Sequence, residues 1–390
     1  MTHHSVLLDA STPAEVPLLH QTEKTVAAAG KAAQNTRPNG SGGSLMQNLA
    51  RCLSVLAAIV AIGVGAAAPA TEADLKPPFS WTLSPPLISP AARPDNPSVS
   101  VKDPTVVFAD GRWHVFMTVR CEQPPVRMEY LSFEKWEDAD KAPRHLFAWY
   151  DRYFCAPQVF YFRPHKKWYL VYQVGEPSRN LKLQPGYATT DKIGDPKSWS
   201  PGKLFFPEVD PAGVSRWIDF WVICDARRAY LFFTSNNGNL WRMWTPLDKF
   251  PEGFDHCELA LKADIFEAAH TYRLAGPQEK YLTVVEAEGK QGRRYYKAYT
   301  ADRLDGAWQP LADTEDRPFA GAANVRQPDP PWADNISHGE LLRASSDETL
   351  PVDPAGLKFL IQGVNNSAKG AKGYGGIPWR LGLLTLEPRK

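Results

Sequence analysis

Apolar and polar residues alternate in short runs along most of the chain, and long helical patterns are few. From residue 103 onward the alternation recurs in one layout. A polar or acidic residue leads an apolar strand, a short turn follows, and a second, aromatic-rich strand completes the hairpin. Five copies lie at residues 103–116, 156–172, 219–233, 267–285, and 338–343 continuing to 357–362. Asp110-Gly111 and Ala275-Gly276-Pro277 supply hairpin-turn chemistry within two of them. A third strand is predicted after each hairpin, at 128–133, 186–190, 240–245, 295–300 and 379–386. A fourth is predicted in the first four copies, at 145–149, 203–206, 258–262 and 308–311. A four-stranded repeat of roughly 50–60 residues marks a propeller blade. The pattern therefore predicts an all-β fold, a five-bladed β-propeller over residues 79–388, with 71–78 as a linker.

The pattern before the repeats differs. Residues 1–45 carry no sustained apolar period and read as a disordered extension ahead of a natural start at Met46. Arg51 then precedes an apolar run, residues 52–65, and small residues fill 66–70. Basic, apolar and small regions in that order are the parts of a secretory signal peptide, here 46–70. The run falls short of the roughly 20 apolar residues of a membrane span. A secreted, extracellular protein is expected, with no membrane association after cleavage. Cys121, Cys155, Cys224 and Cys257 would remain, and oxidation could pair them in three ways. Cys224 sits in an apolar strand pattern, which favours a buried free thiol.

Composition narrows the partners. Lys+Arg 44 against Asp+Glu 43 gives a net charge of +1, which removes the electrostatic case for nucleic acid or an anionic membrane surface. Aromatic residues reach 12%, a level that suits both a strand-rich core and sugar stacking. No G-x-S-x-G, H-E-x-x-H or Walker sequence is present, so acyl transfer, zinc proteolysis and nucleotide hydrolysis lose ground.

Inner strands of a propeller line its axis, so residues at their starts converge although they are far apart in sequence. Those residues are Asp103, Asp219, Glu267 and His338. Any one of these acids alone would read as a solvated loop residue. Three carboxyl groups and an imidazole at equivalent repeat positions point instead to a catalytic site at the inner-strand starts. Paired carboxyl groups suit glycoside hydrolysis, one activating water or attacking carbon and one protonating the leaving oxygen. A third acidic group beside them raises the acid's pKa. Gln173, in Tyr172-Gln-Val174, is placed to line the same axis.

Several segments resemble glycoside hydrolase family 62, the α-L-arabinofuranosidases that remove arabinose side chains from arabinoxylan. They are Lys102-Asp103-Pro-Thr-Val-Val, Trp217-Ile-Asp219, Ile265-Phe-Glu267-Ala, Tyr281-Leu-Thr-Val-Val-Glu-Ala287, Phe319-Ala-Gly321, Asp334-Asn-Ile-Ser-His338-Gly-Glu-Leu-Leu-Arg343 and Pro378-Trp-Arg-Leu-Gly-Leu-Leu-Thr-Leu386. The resemblance implies an inverting mechanism with Asp103 as general base, Glu267 as general acid and Asp219 tuning the acid. It implies a Ca2+ near the axis, held by His338 and waters. Lys102, Tyr374 and Arg380 join Gln173 as substrate-binding candidates, and the expected partner is a plant cell-wall polysaccharide, arabinoxylan or arabinan, met by a monomer. Two rival readings stay open: a glycan-binding propeller without catalysis, and an arabinosidase or xylosidase like those of family 43.

Overall fold

The structure is a computed structural model that describes residues 75–369 and 373–388. The readings for residues 1–45, for the signal peptide 46–70 and for residues 71–74 of the linker lie outside the described residues. Among the described residues no helix is long and apolar enough to cross a membrane.

The strands form five sheets, antiparallel apart from one short parallel edge pairing in each of blades four and five, the blades of a β-propeller. Blade one holds Ser98–Ala109, Arg112–Cys121, Arg127–Phe133 and Arg144–Phe147. Blade two holds Phe154–Phe162, Lys167–Gly175, Leu183–Thr190 and Lys203–Leu204. Blade three holds Ile218–Cys224, Arg228–Thr234, Asn239–Pro246 and His256–Lys262. Blade four holds Glu267–Leu274, Tyr281–Glu288, Arg294–Ala301 and Gln309–Thr314, with short strands added at both edges. In blade one the first turn works as its sequence predicts: Asp110 and Gly111 take φ of 50° and 76°, the left-handed pair of a tight hairpin.

Blade five closes the ring. Its strands Asn335–Leu341, Lys358–Val364 and Arg380–Leu386 come from the C-terminal end. Its next strand is Trp81–Leu83, antiparallel to Arg380–Leu386 with Trp81 opposite Leu386. Trp81 is fully buried, its indole N–H donates to the Phe319 carbonyl, and its ring packs edge-on to Phe319 at 5.3 Å. The two ends of the propeller are thus joined by one hydrophobic strand.

The axis is tied by a hydrogen bond at every blade boundary. Val159 N–H donates to Thr105 Oγ1 (3.0 Å), Val222 N–H to Gln158 Oε1 (2.7 Å) and Trp221 Nε1–H to the Thr271 carbonyl (2.8 Å). Leu341 N–H donates to Tyr272 Oη (3.1 Å), and Val106 N–H to Glu340 Oε2 (3.0 Å). Every polar group in this ring is buried, so each bond also prevents a desolvation cost of about 1–3 kcal/mol. All four cysteines of the described residues are free, and Cys224 is buried as its strand pattern suggests.

Candidate active site

Each inner strand carries a β-bulge near its start; Asp103, Asp219 and His338 stand on these bulges, and Glu267 is the last paired residue before its own. The register with the second strand slips between Lys102 and Thr105, Cys155 and Gln158, Ile218 and Trp221, Glu267 and His270, and Ser337 and Gly339. In four blades one bulge residue takes a left-handed conformation: Asp103 (φ 49°), Ala156 (φ 48°), Asp219 (φ 56°) and Ala268 (φ 51°). Asp tolerates that region better than most residues, whereas each alanine costs about 1–2 kcal/mol. A bulge re-aims the side chain it carries, and these turn theirs toward the axis.

The bulge also strips its own amide of a ladder partner, and the preceding blade supplies one. Thr118 Oγ1 accepts from Ala156 N (2.8 Å), Gln173 Oε1 from Asp219 N (3.2 Å), Glu286 Oε2 from His338 N (3.1 Å) and Gln362 Oε1 from Asp103 N (2.8 Å). Each acceptor faces the last residue before its own blade's bulge: Thr118 opposite Lys102, Gln173 opposite Cys155, Glu286 opposite Glu267, Gln362 opposite Ser337. Blade three breaks the rule. Its equivalent, Thr234, opposite Ile218, has a buried hydroxyl with no partner among the described residues. Ala268 N–H donates instead to Asp219 Oδ2 (3.0 Å). Asp219 therefore steadies the backbone immediately after Glu267.

The carboxyl groups sit in contrasting fields. Burial alone would raise the Asp103 pKa, but the Lys102 ammonium 3.4 Å from Oδ1 reverses this, and the net position is below the ordinary value. His338 and a hydrogen bond from Thr118 add to the lowering. Burial and then the neighbouring Glu286 push Glu267 up to about 7, against Arg294 and Lys102. Asp219 is raised well above its ordinary value by burial, Glu267 and Asp103. One carboxyl stays ionised while another keeps its proton near neutrality, the division that acid–base hydrolysis needs.

Residues 80–385 match glycosyl hydrolase family 62. The chain belongs to that family. It is 42% identical over 329 residues to α-L-arabinofuranosidase C of Cellvibrio japonicus, a match covering 82% of this chain and 49% of the relative. The chain thus spans about half the length of that curated relative. Among solved structures, the α-L-arabinofuranosidase of Podospora anserina in complex with cellotriose is 38% identical, with a TM-score of 0.74 over 81% of this chain and 99% of that one. A family 62 hydrolase in complex with xylotriose is also 38% identical, with a TM-score of 0.71 over 78% of this chain and 97% of that one. The Cellvibrio japonicus relative and the Podospora anserina structure are both named α-L-arabinofuranosidases.

The same cluster gathers most of the remaining candidates. His338 Nδ1 lies 3.3 Å from Asp103 Oδ1 and 4.0 Å from Asp219 Oδ2. Lys102 Nζ donates to Tyr374 Oη at 3.2 Å, and half of the Tyr374 surface is exposed at the rim. Gln173 Oε1 accepts from the Asp219 amide, and its Nε2 donates to Cys155 Sγ (3.2 Å). Arg380 is not brought to the cluster. Its guanidinium covers the Trp332 ring at 5.2 Å, and that ring fills the space over Gly363 and Gly382, where a Cβ would lie 2.9 and 2.6 Å from it. Among the described residues no group of three or more His, Cys, Asp or Glu has metal-holding geometry. A hard cation seeks six to eight oxygens, so His338 and its surroundings do not form a complete Ca2+ cage from protein atoms.

Sequence reasoning passed over two residues of this site. Arg294 Nη1 lies 3.5 Å from Glu267 Oε1 and 3.0 Å from Glu286 Oε1, with its guanidinium 3.6 Å above the Phe266 ring. Glu286 is fully buried. Its signal was present: a carboxylate inside the apolar strand Tyr281-Leu-Thr-Val-Val-Glu-Ala needs a partner.

Proposed function

We propose that the propeller is an α-L-arabinofuranosidase that releases terminal α-L-arabinofuranosyl side chains from arabinoxylan or a related arabinoside by single-displacement, inverting hydrolysis. The observation that carries this reading is the opposed pair, Asp103 held low by Lys102 and Glu267 pushed up to about 7 by burial and Glu286. Asp103 takes a proton from the attacking water. Glu267 gives its proton to the leaving oxygen of the xylan chain. Asp219, bonded to the Ala268 amide, keeps the backbone beside Glu267 in place. Lys102 and Tyr374 line the approach. The named relatives support arabinose as the sugar removed, and the xylotriose complex of one of them supports a xylan chain as the aglycone.

An aryl α-L-arabinofuranoside assayed beside an aryl β-D-xyloside tests the reading. Hydrolysis of the first, with the β anomer of arabinose first in the NMR spectrum, is the expected result. Preference for the xyloside would favour the family 43-like reading. First appearance of the α anomer would overturn inversion, and no hydrolysis of either would favour a glycan-binding propeller.

Export is part of the same proposal, with cleavage after residue 70; sequencing the N-terminus of the secreted protein tests it, and a chain that begins before Met46 would contradict it. A Ca2+ beside His338, with waters as its main ligands, is proposed on the resemblance. A melting temperature unchanged by Ca2+ or a chelator, in wild type and His338→Ala alike, would contradict that site.

A further inference from the structure

A continuous chain of hydrogen bonds runs behind the site from Asp103 to the partner of Glu267. Asp103 N–H donates to Gln362 Oε1 (2.8 Å), and Gln362 Nε2 donates to Ser337 Oγ (3.0 Å). Ser337 Oγ–H donates to Glu286 Oε1 (2.7 Å), which also receives Arg294 Nη1 (3.0 Å). A backbone amide can only donate, so the Gln362 oxygen must face Asp103 and its nitrogen Ser337. The serine proton is thereby aimed at Glu286. The other Glu286 oxygen receives His338 N–H (3.1 Å). Blades one, five and four are locked together through this one buried carboxylate.

Arg294 is shared unequally at the end of the chain. Its Nη1 makes a hydrogen bond to Glu286 but stands 3.5 Å from Glu267, an ion-pair distance without one. The guanidinium rests on Phe266, the residue before Glu267, so a small shift would bring it onto Glu267. The other charged or titratable groups that face Glu267 are Lys102 and Asp103 of blade one, Asp219 of blade three, and Tyr374.

We propose that Glu286 is a positioning residue of the hydrolysis: it holds Arg294 back from Glu267, so that Glu267 keeps the proton it must donate, and links that grip through Ser337 and Gln362 to the backbone of Asp103. The proposal rests on Glu267 being the general acid. Glu286 is fully buried, and its bonds run to Arg294, Ser337 and the His338 amide.

The test is the alkaline limb of kcat/KM for the full chain, on arabinoxylan and on a nitrophenyl arabinoside. Glu286→Gln keeps the shape and an acceptor oxygen but removes the charge and frees Arg294. A cation gained at close range lowers a carboxyl pKa by about 1–3 units. The limb on arabinoxylan should therefore move to lower pH by about one unit or more, and the nitrophenyl substrate, which needs no acid, should show no such shift. Glu286→Asp, which restores the charge, should bring the limb back toward its original pH. Arg294→Gln should move it the other way, to higher pH, and this variant decides the matter if Glu286→Gln does not fold. An unmoved limb in folded Glu286→Gln, with equal loss at every pH on both substrates, would overturn the proposal, and so would a downward shift in Arg294→Gln. Failure of the underlying reading looks different: Glu267→Ala would then lose the same activity on both substrates.

Discussion

Asp103→Ala is expected to be folded and inactive on both arabinoxylan and a nitrophenyl arabinoside. Of the three carboxyl groups Asp103, Asp219 and Glu267, this is the one kept below its ordinary pKa, with the Lys102 ammonium 3.4 Å away. Water must lose a proton as it attacks, whichever group is leaving, so no choice of substrate bypasses this residue. General-base assistance is worth about 10²–10⁴-fold, and a loss in that range should appear in both assays. Folding is expected to survive because the backbone already accepts alanine in this conformation. The equivalent bulges of blades two and four carry Ala156 at φ 48° and Ala268 at φ 51°, against 49° at Asp103. The Asp103 amide would keep its bond to Gln362 Oε1. Circular dichroism and the melting curve check the fold, and reducing-sugar and nitrophenol release check the activity. A folded variant that retained substantial activity on the nitrophenyl substrate would remove Asp103 from the role of base.

The blades were legible in the sequence because each is built from strands next to one another in the chain, with alternation long enough to read. Residues 128–133 and 258–262, for example, fall within the strands Arg127–Phe133 and His256–Lys262. The fourth strand of blade five was not legible. Trp81–Leu83 is too short to show a period, and its partner Arg380–Leu386 lies at the other end of the chain. The nearness of Asp103, Asp219 and His338 followed from repeat position: His338 Nδ1 lies 3.3 Å from Asp103 Oδ1 and 4.0 Å from Asp219 Oδ2. What repeat position could not give is the bulge. It reverses the backbone locally, and it recruits a second-strand side chain from the neighbouring blade as its acceptor. Glu286, Gln362 and Gln173 occupy one such position, a fact visible only after the registers are known. Arg380 differs from the other candidates in its placement. It lies in a segment that matches the family, yet the glycines opposite and beside it open a seat for Trp332, and the arginine stacks there instead of joining the carboxyl groups. Nor does a sequence carry the opposed proton affinities of Asp103 and Glu267, which depend on depth of burial and on Lys102, Glu286 and Arg294 around them.

Glu267→Ala should separate the two substrates that Asp103→Ala treats alike. Burial and Glu286 push the Glu267 pKa up to about 7, so its proton is present below that pH and is lost as pH rises through it. In wild type, activity on arabinoxylan should therefore fall on the alkaline side of about 7, because a xylan oxygen leaves poorly without a proton. A nitrophenolate is a stable anion and leaves unaided. The alanine variant should lose about 10²–10⁴-fold on the polymer, retain most of its activity on the nitrophenyl arabinoside, and lose the alkaline limb on whatever activity remains. Removal of the carboxyl leaves Arg294 its hydrogen bond to Glu286, and Asp219 its bond to the Ala268 amide, so the surrounding frame keeps its contacts. Turnover on both substrates across a pH series gives the answer from one preparation. Full polymer activity in the variant would place the acid elsewhere, and equal losses on both substrates in folded protein would give Glu267 a role other than protonating the leaving oxygen.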